Sequence, residues 1–353
     1  MLTRDDTAQA ASAIHAQANQ PQSLATALDG LDRALHDGAI RGRAAIPTGF
    51  SPLDHMVSGG LKPGELLLIG GAQGLGKTTL TLQMARNMAR AGAQVLYVCY
   101  EHDEHFLLSR LLSLESLDPR DEEDTDGIRL RDLIQQLERV AAGTAPSLAA
   151  VAAASPAVGR AWQRMSGYAE RLHLLRGSGT YTDLDALRGY VEALHTATHA
   201  PCVLFVDYLQ KVPLLPETPS EDDRITRVVE GLKELALASG IGVVAIVAAE
   251  KAGLQAPRLR LHHLRGSSAL LYEADIILLL NDKYKIVTKN TITFNTHEAQ
   301  TFRSWVVCTI EKNRAGRDAA DLEFRKRFEF ACFNPDGRFV GETLLDERIN
   351  TEG

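Results

Sequence analysis

The segment GAQGLGKTT, residues 71–79, carries the residue types that bind a nucleoside triphosphate. It fits the pattern G-x-x-x-x-G-K-[ST]: glycines let backbone N–H groups converge on phosphate oxygens, the lysine reaches the outer phosphates, and the hydroxyl ligates Mg²⁺. A purely structural glycine-rich turn is the alternative, but the apolar run before it and the helical stripe after it favour a nucleotide site. The predicted binding residues are Gly71, Gly74, Gly76, Lys77, Thr78 and Thr79, with Thr78 also on the metal.

Two acidic residues at the ends of apolar runs add to this chemistry. Asp207 follows VLFV, a pattern typical of a second Mg²⁺-binding element after a phosphate loop. Glu101 follows AQVLYVCY, which we place on the strand beside the phosphate-loop strand, where a carboxylate would orient and deprotonate an attacking water. The alternative for Glu101 is a cap of a surface helix. We expect Glu101 to be catalytic and Asp207 to bind the metal.

These residues need a scaffold, and the chain alternates between apolar runs and amphipathic helical stretches. That rhythm predicts an α/β fold with a mostly parallel central sheet covered by helices. Ligands bind such sheets outside the carboxyl ends of the strands, so Gly71, Glu101 and Asp207 are expected to converge. The predicted strands are 66–69, 93–100, 172–175, 203–206, 243–248, 276–280, 305–310 and 328–333.

The chain divides into a polar N-terminal segment (1–20), a linker helix with its linker (21–45) and a main domain (46–353). In the linker helix Ser23 is the expected N-cap, and Leu24, Leu28, Leu31 and Leu35 form an apolar stripe. The residues alone leave open whether this stripe packs on its own domain or on a neighbouring subunit. Within the main domain, residues 114–172 form the least transparent stretch.

Composition limits the class of protein. The 353 residues are 45% hydrophobic, with a net charge of −7 and four cysteines. The charge argues mildly against a broad nucleic-acid-binding surface, and the cysteines are expected to be buried core residues. No apolar run approaches the ~20 residues of a membrane helix, and the N-terminus is polar, so we expect a cytoplasmic protein with no membrane partner.

The cations Lys312 and Arg314, in TIEKNRAGRD, end a late strand and precede a turn. A solvated hairpin edge is the usual explanation for such a pair. The alternative is a contact with a phosphate across a subunit interface. Composition and spacing do not decide between the two.

Taken together, the motifs resemble the C-terminal ATPase domain of DnaB-type replicative helicases, a RecA-like phosphate-loop fold. The resemblance runs from about residue 46 to 333 and keeps the motif order. It rests on the entry segment IPTGFSPLDHMVSGGLKPGE, the GAQGLGKTT loop, VLYVCYEHDEHF, the DYLQ that places Asp207 and Gln210, the LRGSS segment, and TIEKNRAG, which is similar to a K-x-R-x-G finger.

The resemblance implies ATP and Mg²⁺ as cofactors and a homohexameric ring as the active form. It implies catalytic roles for Glu101 and Lys77, and also for Lys312 and Arg314, which would reach the γ-phosphate bound by the next subunit. It places the linker helix on the adjacent ATPase domain. It also implies that the basic loop 251–265 faces a central channel and binds the backbone of single-stranded DNA, through Arg258, Arg260, Arg265, Gly266 and Ser268; a solvated basic loop is the alternative.

The sequence departs from the family in four places. The N-terminal domain that binds primase is expected to be absent, since about 45 residues precede the ATPase domain. The strand-end glutamine that senses the γ-phosphate falls at Ala248, with Glu250 close by as a substitute. Gly266 replaces an acid that helps to hold DNA. Residues 114–172 are an unusually long insert.

We therefore hold two hypotheses of different classes. The first is a hexameric Mg²⁺-dependent ATPase that translocates on single-stranded DNA and unwinds duplexes. The alternative is a ring-forming, ATP-dependent switch or scaffold of a plasmid, phage or defence system, which recruits a protein partner through the 114–172 insert. A RadA-like recombination ATPase shares the entry segment, but DYLQ and LRGSS favour the helicase family.

Overall fold

The computed structural model describes residues 21–36, 44–198, 200–215, 220–287, 300–317 and 319–345. The chain divides into two units, residues 1–44 and residues 45–353. In the first unit, helix α1 (Leu24–His36) begins after Ser23, whose Oγ accepts a hydrogen bond from the backbone N–H of Thr26 at 3.1 Å. Its four predicted stripe leucines are all at least 50% exposed.

The second unit is built on one sheet, in the spatial order β10-β8-β7-β6-β1-β5-β4-β2-β3, with β9 paired to β8. From β6 to β3 all neighbours are parallel, whereas β7, β8 and β10 add an antiparallel edge. The strands are β1 (Leu66–Gly71), β2 (Gln94–Cys99), β3 (Leu172–Arg176), β4 (Cys202–Asp207), β5 (Gly242–Ala248), β6 (Ile276–Asp282), β7 (Trp305–Asn313), β8 (Ala320–Arg327), β9 (Cys332–Phe333) and β10 (Arg338–Phe339). The predicted mixed α/β fold with a mostly parallel sheet is confirmed.

Helices cover both faces of this sheet. Those of the second unit are α2 (Ser51–Met56), α3 (Lys77–Arg90), α4 (Glu104–Glu115), α5 (Leu130–Ala141), α6 (Leu148–Ala154), α7 (Pro156–Ser166), α8 (Leu184–Thr198), α9 (Glu221–Ser239), α10 (Lys251–Gln255), α11 (Ser267–Glu273) and α12 (Lys283–Ile286). Short 3₁₀ turns follow β4 at Leu209–Lys211 and precede α11 at Leu261–His263.

Alternate residues of each central strand enter two separate hydrophobic cores. In β1, Leu67 and Ile69 pack in the core on the α3 face, while Leu66 and Leu68 pack in the core on the α9 face. Successive side chains of a strand point to opposite faces, so a strand buried on both sides must be apolar throughout. This explains why the parallel strands appear in the sequence as unbroken apolar runs.

The 114–172 stretch is mostly helical, and its Leu133 and Val158 form a small core together with Leu112 of α4. A buried ion pair ties its start to α3: Arg86 Nε donates to Glu115 Oε1 at 2.6 Å. The Ala-rich part of this stretch contains α6. Helix α7 was not predicted.

The antiparallel edge was poorly predicted. The expected strand at 328–333 is instead a 3₁₀ turn at Phe328–Phe330 followed by the two-residue β9, and neither β8 nor β10 was expected. Strand β8 contains five charged residues among its eight, so it carries no apolar run. Its pairing with β7 and β10 gives it a strand conformation that its composition does not signal.

The expectation for the cysteines holds. All four cysteines are buried and free, as predicted for core residues. Burial raises the pKa of the Cys99 and Cys202 thiols to about 11, so these thiols are protonated at neutral pH. Among the described residues no helix is long and apolar enough to cross a bilayer.

Candidate nucleotide-binding site

A cavity of about 500 Å³ opens at the carboxyl edge of the parallel strands. Its volume lies in the range of small-ligand sites. The predicted phosphate-loop residues Gly71, Gly74, Gly76, Lys77, Thr78 and Thr79 line it together with Glu101 and Asp207. The structure therefore brings together, around one space, side chains and backbone from the ends of β1, β2 and β4.

The phosphate loop has the geometry that its glycines permit. Gly76 has φ +84°, and a Cβ there would lie 2.5 Å from the ring of Phe328, so both the backbone and the packing require glycine. The Lys77 Nζ donates to the carbonyls of Gly71 at 2.8 Å and Ala72 at 3.0 Å. Burial lowers the pKa of the Lys77 amine, while Asp207 and Glu101 oppose this shift. The ammonium is thus held inside the loop.

The two residues predicted to bind the metal, Thr78 and Asp207, lie in direct contact. Thr78 Oγ1 donates to Asp207 Oδ2 at 2.8 Å, and Tyr97 Oη donates to the same oxygen at 3.1 Å. Asp207 is only 2% exposed, and this burial raises the pKa of its carboxyl, although both hydroxyl donors act in the opposite direction. A cation beside Asp207 would relieve that cost.

These oxygens fit Mg²⁺. Magnesium prefers oxygen ligands and keeps several waters, so one carboxylate and one hydroxyl suffice when substrate phosphates supply the rest. Among the described residues there is no group of three or more His, Cys, Asp or Glu side chains that could hold a metal. The pair Thr78 and Asp207 therefore suits a metal that arrives with a nucleotide.

Glu101 lines the cavity, but its strand is not where we expected it. We placed β2 beside β1; instead β5 and β4 lie between them. Three strand steps amount to about 14 Å. Glu101 still borders the site because α3, which begins at Lys77, packs across β5 and β4 as far as β2. Its side chain is exposed, and the helix α4 that follows is capped by Asp103, which accepts from the N–H of Phe106 at 2.9 Å. The capping role that competed for Glu101 thus belongs to Asp103.

A stack of three side chains on the cavity wall was not predicted. The rings of His102 and Phe106 stack with centroids 3.5 Å apart, and the Arg110 guanidinium carbon lies 3.4 Å from the Phe106 centroid. All three line the cavity. Their i, i+4, i+8 spacing in HDEHFLLSR was the available signal, since residues four apart share a helix face.

Lys312 and Arg314 lie at the opposite, amino edge of the sheet. Ile277, near the start of β6, pairs with Lys312, whereas Leu280 pairs with Gly71 of β1. Three residues along a strand span about 10 Å, and Arg314 lies further out still. Neither cation lines the cavity of its own chain.

Both cations are held by local partners. Arg314 Nη1 donates to Asp275 Oδ1 at 3.1 Å and its Nη2 to the carbonyl of Tyr272, while Lys312 Nζ donates to the carbonyl of Leu271. Asp275 is itself held by Lys233 and by the N–H of Leu66, at 2.6 and 2.8 Å from Oδ2. Half of the Arg314 side chain remains exposed.

The residues expected to bind DNA divide into two groups. Arg258 is only 4% exposed, with its guanidinium paired to Asp321 and bonded to Thr309. Arg260 pairs with Glu311 at 3.0 Å. The two acids lie on β7 and β8, whose pairing was not predicted, so no local pattern indicated these contacts. For Arg258 the expectation was wrong, because a buried, paired guanidinium presents no donor to DNA. Arg260 is also engaged within the domain.

The other three residues lie at the surface. Arg265 and Ser268 are exposed, and Gly266 is the N-cap residue of α11, with φ +72°. A Cβ at Gly266 would approach Ile225 to 2.5 Å, so the acid expected from the resemblance would not fit here. The Arg265 guanidinium instead pairs with Glu221, on α9, at 2.8 Å. Arg265 thus does have an acidic neighbour, but this acid is Glu221 of α9 and not the residue that follows Arg265 in the chain.

The comparisons with known proteins agree with this geometry. The family model described as "DnaB-like helicase C terminal domain" matches residues 45–332. The chain belongs to the DnaB-like helicase family. Its fold is similar to that of a solved structure described as an ATPase domain, with a TM-score of 0.69 and 19% identity, covering 89% of this chain and 99% of that one.

Other similar proteins match over different shares of their length. One is a DnaB-like replicative helicase whose structure is described with its interactions with primase, with TM-score 0.65, 19% identity, and coverage of 92% of this chain and 70% of that one. Replicative DNA helicase DnaB of Leifsonia xyli is 24% identical over 74% of this chain and 51% of its own length. DNA repair protein RadA of Campylobacter jejuni is 43% identical over 72 residues, 20% of this chain and 16% of its own. The chain thus spans about half of the DnaB relative and a smaller share of RadA.

Proposed function

We propose that this DnaB-like chain is a Mg²⁺-dependent ATPase that assembles into a hexameric ring, translocates along single-stranded DNA and separates duplexes. The observation that carries the proposal is the convergence of Lys77, Thr78, Glu101 and Asp207 on one cavity at the carboxyl edge of the sheet. Family membership supports the same class of activity.

Each of these residues has a chemical role. Lys77 and the backbone N–H groups of the loop bind the phosphates, and Thr78 and Asp207 hold Mg²⁺, which neutralises phosphate charge when bound. Glu101 orients the attacking water and accepts its proton. Glu101 lines the same cavity as Lys77 and Thr78, so it borders the space in which the phosphates would bind.

The position of two cations supports the proposed hexamer. Lys312 and Arg314 lie at the amino edge, away from the cavity of their own chain. Asp275 holds Arg314, the carbonyl of Leu271 holds Lys312, and both side chains remain partly exposed. In a head-to-tail ring the amino edge of one subunit would face the cavity of the next. We propose that Arg314 and Lys312 complete that neighbouring site, and that the four exposed leucines of α1 dock on the adjacent ATPase domain.

We propose that the loop that precedes α11 binds single-stranded DNA. Arg265 supplies charge, and Ser268 with the backbone at Gly266 supplies hydrogen bonds to phosphate. None of these groups reads bases, so binding would be insensitive to sequence and would weaken as salt rises. A role in replication is suggested by the name of the Leifsonia relative. No described residue favours the scaffold alternative over this motor.

The test is ATP turnover by the full chain with and without single-stranded DNA at two salt concentrations. We expect DNA to stimulate turnover, and Lys77→Ala and Glu101→Gln to abolish it; Glu101→Gln should still bind ATP. Glu104→Gln, the same change three residues later and outside the cavity, serves as the matched control. Turnover that is indifferent to DNA would overturn the translocation part of the proposal, and electron micrographs with an ATP analogue would show whether rings form.

A further inference from the structure

Tyr97 of β2 is fully buried in the core on the α3 face of the sheet. Its ring stacks against Phe205 of β4, with centroids 5.6 Å apart. Residues two apart on a strand share a face, so Asp207 lies on the same face of β4 as Phe205. The hydroxyl of Tyr97 reaches along this face to the Asp207 carboxylate. No pattern in the sequence singled out Tyr97, because it lies within an apolar run.

The two carboxylate oxygens of Asp207 have different surroundings. Oδ2 accepts hydrogen bonds from Thr78 Oγ1 at 2.8 Å and from Tyr97 Oη at 3.1 Å. Among the described residues, no donor contacts Oδ1. Asp207 also lines the nucleotide cavity. Oδ1 is therefore the oxygen that the chain leaves for a ligand.

The Tyr97 hydroxyl has a second partner on the helix that follows the phosphate loop. Its Oη lies 2.8 Å from Oγ1 of Thr81, a buried residue in the second turn of α3. A hydroxyl carries one proton, and Tyr97 donates its proton to Asp207, so Thr81 is the donor in this contact. The hydrogen bonds thus run from α3 through Tyr97 to the end of β4, and they fix the direction of the Tyr97 hydroxyl.

This arrangement restricts how the Asp207 carboxylate can rotate. The terminal torsion of an aspartate side chain has a broad energy profile, so a carboxylate held by a single donor turns easily. Thr78 and Tyr97 approach one oxygen from two different elements, a helix and a strand. A ligand that is ordered in advance loses less entropy on binding, and hydrogen bonds that orient metal ligands change metal affinity by about 10- to 100-fold.

We propose that Tyr97 is a positioning residue for the magnesium site. Its hydroxyl holds the Asp207 carboxylate in one orientation and leaves Oδ1 for Mg²⁺ or its water shell. Tyr97 does not line the cavity, so it acts through Asp207 and not by contact with nucleotide. The inference rests on the Mg²⁺ role of Thr78 and Asp207 in the function proposed above, and it adds a residue that sets how much Mg²⁺ the chain needs.

The test uses Tyr97→Phe in the full chain, which removes the hydroxyl and keeps the ring that stacks on Phe205. Tyr168→Phe is the matched control, because Tyr168 is buried in the same core and forms no hydrogen bond with Asp207. Binding of a fluorescent ATP analogue is measured in EDTA and then at increasing Mg²⁺ concentrations. ATP turnover is measured over the same range of Mg²⁺.

We expect the Mg²⁺ concentrations for half-maximal binding and half-maximal turnover to rise about tenfold in Tyr97→Phe. The Kd of the analogue in EDTA and the kcat at saturating Mg²⁺ should change less than about twofold, because the phosphate loop and Glu101 are untouched. Tyr168→Phe should match wild type in all four quantities. A purely structural defect would reduce the folded fraction, and hence the signal amplitude, without moving the Mg²⁺ midpoint.

Three results would overturn the inference: an unchanged Mg²⁺ midpoint in Tyr97→Phe, an equal shift in Tyr168→Phe, or a matching rise of the Kd in EDTA. If the wild-type chain binds the analogue equally well with and without Mg²⁺, the metal role proposed for Thr78 and Asp207 fails, and this inference fails with it. If wild type responds to Mg²⁺ and Tyr97→Phe has the same midpoint, only the role of Tyr97 is lost.

Discussion

The two edges of the parallel sheet are organised in opposite ways. At the carboxyl edge, Lys77, Thr78, Glu101 and Asp207 border an open cavity, and burial raises the pKa of the Asp207 carboxyl. At the amino edge, Asp275 accepts hydrogen bonds from Leu66, Lys233 and Arg314, so its charge is fully matched.

The two edges therefore differ in whether their charged groups already have partners within the chain. The carboxyl edge bears an energetic cost that nucleotide and metal would remove. At the amino edge, Asp275 holds the Arg314 side chain in place while half of that side chain stays exposed. Because the side chain is already ordered, it would lose less conformational entropy on contact with a further partner. Under the proposal above, the carboxyl edge would bind nucleotide, and the amino edge would supply a preorganised reagent, Arg314, to a neighbouring site.

The largest expected effect comes from removing that reagent. Arg314→Ala should lower kcat by about 10³-fold, the scale of arginine-finger contributions, with the Kd for ATP nearly unchanged. Steady-state turnover and fluorescent-nucleotide binding measure the two quantities. A variant with kcat near wild type would show that the amino edge has no part in hydrolysis.

Mixing variants sharpens the same comparison. In a ring made from equal parts of Arg314→Ala and Glu101→Gln chains, roughly a quarter of interfaces would pair an intact Glu101 with an intact Arg314, if subunits mix at random. Turnover should therefore recover to roughly that fraction of wild type. Recovery would fail if Arg314 served only its own chain.

A smaller decrease in kcat is expected when the ion pair between Asp275 and Arg314 is weakened. Asp275→Asn keeps the shape but loses the charge shared by Lys233 and Arg314, so kcat should fall about tenfold and unfolding free energy by about 3 kcal/mol. Glu115→Gln, which breaks the buried pair with Arg86, is the control: it should destabilise the chain similarly without lowering the kcat of folded protein. Equal loss of kcat in both variants would contradict a specific role for Asp275.

At the carboxyl edge the expected change is a gain in stability. The pKa of the buried Asp207 carboxyl lies above its ordinary value of 3.8, so the folded chain holds that proton more tightly than the unfolded chain. Stability from this group is therefore present at low pH and lost as pH rises through the raised pKa. Asp207→Asn should raise the unfolding free energy on the order of 1 kcal/mol at about pH 7.5, and less at about pH 4.5. Urea unfolding without nucleotide or Mg²⁺ checks this; a less stable variant at neutral pH would show that Thr78 and Tyr97 already outweigh the burial.

The smallest effect concerns the exposed ion pair beside the carboxyl edge. Glu221→Gln frees Arg265 and should tighten binding of single-stranded DNA about twofold to threefold at low salt, since exposed pairs contribute little. Asp222→Asn removes the same charge one residue away and serves as the control. Fluorescence anisotropy at two salt concentrations measures both, and equal tightening in the two variants would assign the effect to net charge alone.

By itself, the sequence determined the sheet strands buried on both faces and the residues of the phosphate loop. Both are local: an apolar run reports burial, and G-x-x-x-x-G-K-[ST] encodes the turn, the lysine and the hydroxyl within eight residues. Asp207 could be singled out in the same way, because it directly follows the apolar run VLFV. The order of motifs also indicated the family.

Only the tertiary structure decided which strands are neighbours and which charges are matched. It placed β5 and β4 between the strand that precedes Glu101 and the strand that precedes the phosphate loop. It also paired Arg258 with Asp321 and set Lys312 and Arg314 on the edge away from their own cavity. These facts depend on contacts between residues tens to hundreds of positions apart. No local pattern records such contacts, because strand order and ion pairing are set by how the whole sheet assembles.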